Sequence, residues 1–250
     1  MATPLIGTVI ITGGNGALGS EVAVAIAKTQ PFVHLLLLAR DVHADGVKNV
    51  SERIRLIGPR SFEIAKIDLT NFDSVITFAL NTVERVRRKD IPPVIVLINS
   101  AALSSYISDA PTQNGYDPVY QTNCLSPFLL TVGLLEAFRA DDGTLNGGAR
   151  VINIGCSSMS HGRLDYFDEK TSSERDKPGT PLGAKEGKIR FGSSKLLMSA
   201  AMYALRRSLA VVSRNELGSH GTTRADRLAF FPEGEHFAEH FYTRPWRISW

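Results

Sequence analysis

Apolar residues fall along this chain in short continuous runs, separated by longer stretches in which they recur every three or four positions. The runs, Thr8 to Thr12, Phe32 to Ala39, Phe62 to Ile67, Val94 to Asn99 and Arg150 to Ile154, are of strand length and rich in Val, Ile and Leu. Near-continuous apolar runs mark strands that are covered on both faces. Helical spacing marks Glu21 to Lys28, Val47 to Ile57, Ser74 to Arg88 and Tyr116 to Ala140. A fifth helix is expected from Ile189 through Phe191, Lys195, Met198, Met202 and Leu205 to about Leu217. Strands alternating with helices predict right-handed βαβ units, and so an α/β fold with a doubly wound parallel sheet of Rossmann type in three αβα layers.

Two stretches break the pattern. Ser157 to Lys188, rich in Gly, Ser, Asp and Lys, is too long for a plain connection and reads either as a mobile lid or as a surface insertion. Beyond Leu217 the periodicity fades. Gly218 to Asp226 is polar, Arg227 to Phe231 has the character of a short strand, and Pro232 to Trp250 reads as a poorly ordered tail. His236 and His240 stand at i and i+4 there without a third ligand at sensible spacing, so no metal site is expected. The 250 residues, 43% of them hydrophobic, suffice for one domain with a substantial core.

Charge and cysteine content narrow the partners. The balance of 28 Lys and Arg against 25 Asp and Glu gives +3, and no basic run is interleaved with aromatics, which argues against nucleic acid. Cys124 and Cys156 are too few for a disulfide framework and fit free thiols in a reducing compartment. No charged and apolar leader follows Met1, and no apolar run reaches bilayer length. A cytoplasmic chain without stable membrane insertion is the expectation.

The chemistry-bearing stretch is Val9-Ile10-Ile11-Thr12-Gly13-Gly14-Asn15-Gly16-Ala17-Leu18-Gly19. A strand ends at a glycine-rich turn and a helix begins, which suits a pyrophosphate cradle, with Thr12, Gly13, Asn15, Gly16, Leu18 and Gly19 around the anion. A plain Gly-rich strand-to-helix connection is the other reading. Arg40 lies 21 positions beyond Gly19, at the end of the second run, where such folds meet the adenosine ribose. A basic side chain there favours a 2′-phosphate, hence NADP(H); a solvated strand-end Arg is the alternative. Asp41 comes one position late and suits a helix cap. Asp68 closes the third run and either accepts from an adenine amino group or caps the next helix. Asn99-Ser100-Ala101-Ala102 ends the fourth with small residues that admit a ligand close to the backbone.

Thr12-Gly13-x-x-x-x-Leu18-Gly19, Asp68-Leu69, Asn99-Ser100-Ala101-Ala102, Asn123 in Tyr120-Gln121-Thr122-Asn123, Arg150-Val151-Ile152-Asn153 before Ser157-Ser158, and Lys195 in a helix together resemble the short-chain dehydrogenase/reductase family. Asn114-Gly115-Tyr116 through Phe128-Leu129-Leu130-Thr131 is most similar to its retinol-dehydrogenase-like branch. The likeness covers about residues 6 to 217. It implies strand order 3-2-1-4-5-6-7, NADP(H), a small apolar carbonyl or alcohol substrate, and pairing into dimers or tetramers through two long helices. It also implies a catalytic set in which Asn123 orients a water beside Lys195, Ser158 (Ser157 as runner-up) binds the substrate carbonyl, and Lys195 holds the nicotinamide ribose.

This sequence departs from the family pattern in four places. Ala17 replaces a glycine, and Asn99-Ser100-Ala101-Ala102 stands for Asn-Asn-Ala-Gly. Phe191-Gly192-Ser193-Ser194-Lys195 stands for Tyr-x-x-x-Lys, so the proton-donating phenol is missing. The strand that follows in the family is not recognisable here, so the sheet is expected to lack its last strands. The expected function is an NADP-dependent ketoreductase or alcohol dehydrogenase, with Ser158 through a water, or Lys195 itself, replacing the phenol. A catalytically impaired NADP-binding scaffold and a non-redox lyase or cyclase are the alternatives.

Overall fold

The computed structural model describes residues 4–139, 148–168 and 178–216. Five parallel strands form its sheet: β1 (Gly7–Thr12), β2 (Val33–Ala39), β3 (Ser61–Lys66), β4 (Val94–Asn99) and β5 (Arg150–Asn153), in the order β3-β2-β1-β4-β5. Each lies within a residue or two of its apolar run. The strand order reverses between β1 and β4, which makes the carboxyl ends of those two strands the switch point of a doubly wound sheet. Register brings the ends level: Thr12 pairs with Leu38 on one side and Asn99 on the other, and Asn99 pairs with Asn153.

Side chains alternate across the sheet and build two cores. Ile11, Leu35 and Leu37 pack beneath α1 (Ala17–Thr29) and α2 (Asp45–Ile57), against Val22, Ile26, Val50 and Ile54. Ile10, Leu36, Leu38 and Leu97 meet α3 (Phe72–Arg87) and the later helices through Val75, Leu130 and Leu134. Burial of each of these side chains contributes on the order of 1.5 to 3 kcal/mol. No described helix is long and apolar enough to cross a membrane.

The segment from Tyr116 to Ala140 is not one helix. Asp117 caps α4 (Pro118–Tyr120) by accepting from the Val119 and Tyr120 amides, a π-turn spans Gln121–Leu125, and α5 (Ser126–Gly133) follows. Pro127 has no N–H to give the Asn123 carbonyl four residues back, so the ladder widens and the Ser126 amide reaches Gln121 O. After Gly133 the chain turns down to the sheet, where the Ala137 carbonyl accepts from Val94 N. Ala140 lies outside the described residues.

The final helix, α6 (Gly183–Glu216), starts six residues before the expected Ile189. Gly183 and Gly187 disguised its first turns; Gly187 is buried against the Tyr106 ring, which leaves no room for a Cβ. The expected lid is thus partly regular. Its start is a 3-10 turn at Ser157–His161, its end belongs to α6, and residues 178–182 are stitched to the β4–α4 loop. The stitches run from Ser108 N to Thr180 O, Gly179 N to Ser108 O and Leu182 N to Tyr106 O. The middle of that stretch, the expected strand Arg227 to Phe231, the tail from Pro232, and His236 and His240 lie outside the described residues.

Candidate functional site

The glycine turn sits at the switch point. Gly13 adopts φ +65°, which L side chains avoid, and a Cβ on it would come 2.9 Å from the Ala101 Cα. Gly19 in α1 packs against the Gly13 carbonyl so closely that a Cβ would displace it. Gly14 N donates to Leu38 O and Gly16 N to Gly13 O, and these bonds hold the turn against the ends of β2 and β1. Gly16 caps α1 without a side-chain hydrogen bond, and the first turn of that helix carries no acid. The positive end of α1 is therefore left without a side-chain partner, with Asn15 partly buried and Leu18 43% exposed beside it.

Across the turn, Thr12 Oγ1 accepts from Ala101 N at 3.1 Å, which anchors the small-residue end of β4. Asn99 is buried; its Nδ2 donates to Asn153 Oδ1 at 2.8 Å, and its own Oδ1 has no partner among the described residues. Arg40 follows β2, is exposed, and is held by no hydrogen bond or ion pair among the described residues. Asp41 accepts from His43 N rather than capping α2, whose N-cap is Ala44. Asp68 lies two residues past β3 and does not cap α3. That task falls to Asn71, which accepts from Asp73 N and Ser74 N, while Asp68 Oδ1 accepts from Thr70 N and Thr70 Oγ1.

The second half of the site is built on α6. Phe191 and Lys195 share a helix face, with the ammonium 5.8 Å from the ring centroid. Lys195 is buried, and its Nζ donates to Ile154 O, just beyond β5, at 2.9 Å. Burial lowers its pKa from 10.5 to about 8, an effect that the Cys156 side chain partly offsets. Asn123, in the π-turn, accepts from Leu103 N at 2.7 Å and donates to Leu103 O and Ser194 Oγ. Both its amide protons are thus spent within the protein.

Ser158 reaches α6 through a feature that the motif does not contain. A Cβ on Gly192 would collide with the Ser158 carbonyl, and one on Gly162 would come 2.7 Å from Gly192 O. Glycine on each side lets the 3-10 turn lie directly on the helix backbone between Phe191 and Lys195. Ser193 Oγ accepts from Arg163 N at 2.9 Å and extends the seam. Ser158 is half-buried there, whereas its runner-up Ser157 is exposed. Arg190, 3% exposed on its side chain, ties the start of this segment to α4. It donates to Asp117 Oδ2 at 2.9 Å and Ile107 O at 2.8 Å, and approaches Asp109 Oδ2 at 3.1 Å without hydrogen-bond alignment. A glycine interrupting a helical pattern was the available signal for the Gly192 contact; nothing in the sequence signalled the Arg190 network. Gly192→Ala should destabilise the protein by about 1 to 3 kcal/mol through this overpacking. A lower urea midpoint at unchanged slope is the expected result, and an unchanged midpoint would show that the turn does not rest on α6.

Parallel strands in this order, with a glycine turn at the switch point, define a dinucleotide-binding α/β protein. The model of the short chain dehydrogenase family matches residues 7–164, more than half of the chain, and the protein belongs to that family of oxidoreductases. Over 241 residues it is 28% identical to retinol dehydrogenase 13 of Mus musculus, covering 92% of this chain and 65% of that protein. It is 33% identical over 144 residues to the short-chain dehydrogenase iccH of Talaromyces variabilis, covering 56% of this chain and 39% of that one. The chain thus spans less than two thirds of the length of either relative. Among solved structures, NADPH-bound carbonyl reductase from chicken fatty liver superposes with a TM-score of 0.55 at 20% identity, covering 85% of this chain and 76% of that one. The promiscuous reductase LugOII of lugdunomycin biosynthesis gives 0.57 at 17%, covering 84% and 79%. At such identities the likeness shows the fold.

Proposed function

We propose that the protein is an NADP(H)-dependent oxidoreductase that interconverts a carbonyl and an alcohol on an apolar small molecule, slowly, because a phenyl ring stands where the proton donor belongs. The observation that carries this reading is the meeting, just beyond the carboxyl end of β5, of Lys195, Phe191 and the Ser158 turn. The chain's residues fit a nicotinamide dinucleotide. Gly13 and Gly19 let the turn close tightly on Ala101 and on its own backbone, as a phosphate-binding turn requires, α1 begins there without a side-chain cap or an acid, and Asn99 Oδ1 is buried without a partner among the described residues. When bound, the cofactor supplies or accepts hydride at its nicotinamide ring.

In this reading Thr12, Gly13, Asn15, Gly16, Leu18 and Gly19 line the pyrophosphate, and Asp68 and Asn99 lie along the adenosine side. Arg40 meets the 2′-phosphate. Lys195 holds the ribose next to the nicotinamide and keeps positive charge at the reacting oxygen, to which Ser158 donates a hydrogen bond. Asn123 fixes Leu103 and Ser194, and with them the cleft wall. The scaffold reading rests on Phe191 and on the unrecognised strand beyond Leu217, which lies outside the described residues. Incubating the full chain with NADPH or NADH and a panel of apolar ketones, and following the absorbance of the reduced nicotinamide, separates the two.

Arg40 also sets cofactor choice. A charge-assisted contact to phosphate is worth about 1.5 to 3 kcal/mol, or roughly one to two orders of magnitude in affinity. NADPH should therefore bind more tightly than NADH by about that factor, and Arg40→Asp should abolish the preference. Equal dissociation constants in the parent chain, measured by fluorescence titration, would remove the argument.

A further inference from the structure

Phe191 lies between two loops that rest on the same helix. Successive residues of an α-helix turn by about 100°, so Gly187 sits about 40° to one side of Phe191 and Lys195 about 40° to the other, with Gly192 about 100° round on the Lys195 side. Gly192 carries the Ser158 turn, and Lys195 reaches Ile154 O. Gly187 carries the ring of Tyr106, from the loop between β4 and α4: a Cβ on that glycine would run into Cδ1 of the ring and crowd its Cγ and Cε1. One edge of the ring therefore rests on bare helix backbone, while the side chain as a whole is 58% exposed. Phe191, itself partly exposed, forms the floor between this ring and the Ser158 turn.

The backbone beneath Tyr106 is held on both sides. Its own carbonyl accepts from Leu182 N at 2.9 Å, and the next carbonyl, that of Ile107, accepts from the buried Arg190 at 2.8 Å. Ser108 exchanges bonds with Gly179 and Thr180, and Leu103 is held by Asn123. An open aromatic ring on a backbone fixed in this way meets a ligand without a large ordering cost.

We propose that Tyr106 is the specificity-determining residue of this site, and that the substrate is a flat aromatic ketone or alcohol whose rings lie over Phe191 and against Tyr106; this rests on the oxidoreductase reading above. The eight residues from Gly187 to Lys195 span roughly 12 Å along the helix. A carbonyl beside Lys195 and Ser158 reaches Tyr106 across that distance when about two fused rings extend from it. Without a hydroxyl, Phe191 offers those rings an apolar floor on which no polar group is stranded. Aromatic rings gain from offset or edge-on contact with one another beyond the area they bury, and a saturated ring system of the same outline does not.

The test compares 2-acetylnaphthalene with its saturated counterpart, 2-acetyldecalin, by titration of the full chain with NADP⁺ present, so that no hydride is transferred. The ratio of their dissociation constants is the readout. Tyr106→Leu should lower the preference for the aromatic ketone by about two- to tenfold, the worth of one aromatic contact, and Tyr106→Phe should keep it. Gly187→Ala leaves the ring in the chain but pushes it off the helix, and should lower the same ratio.

Three results would overturn the proposal: a ratio unchanged in Tyr106→Leu, a Tyr106→Phe chain that loses as much as Tyr106→Leu and so puts the effect on the hydroxyl, or a parent that binds neither ketone. Failure of the parent to bind NADP⁺ would instead strike the oxidoreductase reading, and the same ratios measured without cofactor would still decide the role of Tyr106.

Discussion

Phe191→Tyr should raise ketone reduction by at least about tenfold, at unchanged affinity for NADPH. A positioned general acid contributes roughly 10² to 10⁴ in rate, about 3 to 5 kcal/mol of barrier. The ring is half-buried and lies 5.8 Å from the Lys195 ammonium, so a para-hydroxyl needs little new space and gains a cation that favours its ionised form. The measurement is kcat at saturating NADPH for both chains on the same ketone. Vigorous NADPH oxidation by the parent would show a fully effective acid already in place. An inert Phe191→Tyr chain with normal NADPH binding would favour the scaffold.

What could be read without coordinates followed from how each signal arises. The strands were legible because both faces of the sheet are covered: Leu35 to Leu38 are all fully buried, and a run of that kind admits few alternatives. The glycine turn was legible because a positive φ at Gly13 and the close approach of Gly19 both demand missing Cβ atoms. Phe191 and Lys195 sit four apart on α6, so their sharing a face followed from the helical period.

Helix boundaries were harder, because tertiary contacts set them. α6 begins at Gly183, where two glycines interrupt otherwise good helix formers, and is held by Gly187 against Tyr106 and by Arg190 against Asp117. The break at Asn123 depends on a proline four residues downstream, which a search for apolar periodicity passes over. Asp68 lies close past a strand, but Asn71 has the better offset for both first-turn amides of α3. The Ser158 seam depends on two glycines thirty residues apart meeting in space, a long-range contact that one sequence does not announce.

Lys195 should make stability depend on pH in an unusual direction. In the folded protein without cofactor, burial lowers its pKa to about 8, against 10.5 for the ordinary side chain. Below about pH 8 both folded and unfolded chains carry the proton, and the folded state bears the whole cost of burying the charge. Between about 8 and 10.5 the unfolded chain still holds a proton that the folded chain has released, so stability rises with pH; above 10.5 both are neutral and the cost is gone. Each pKa unit corresponds to about 1.4 kcal/mol, so the recovered stability is on the order of 3 kcal/mol. Other groups titrate in the same range, and Lys195→Met serves to cancel them. The variant lacks the buried charge at every pH, so its stability relative to the parent should fall by about 3 kcal/mol as pH rises from 7.5 to 10.5. Urea unfolding of both chains at half-unit pH steps measures this, and parallel curves for the two would mean that the ammonium of Lys195 is solvated rather than buried.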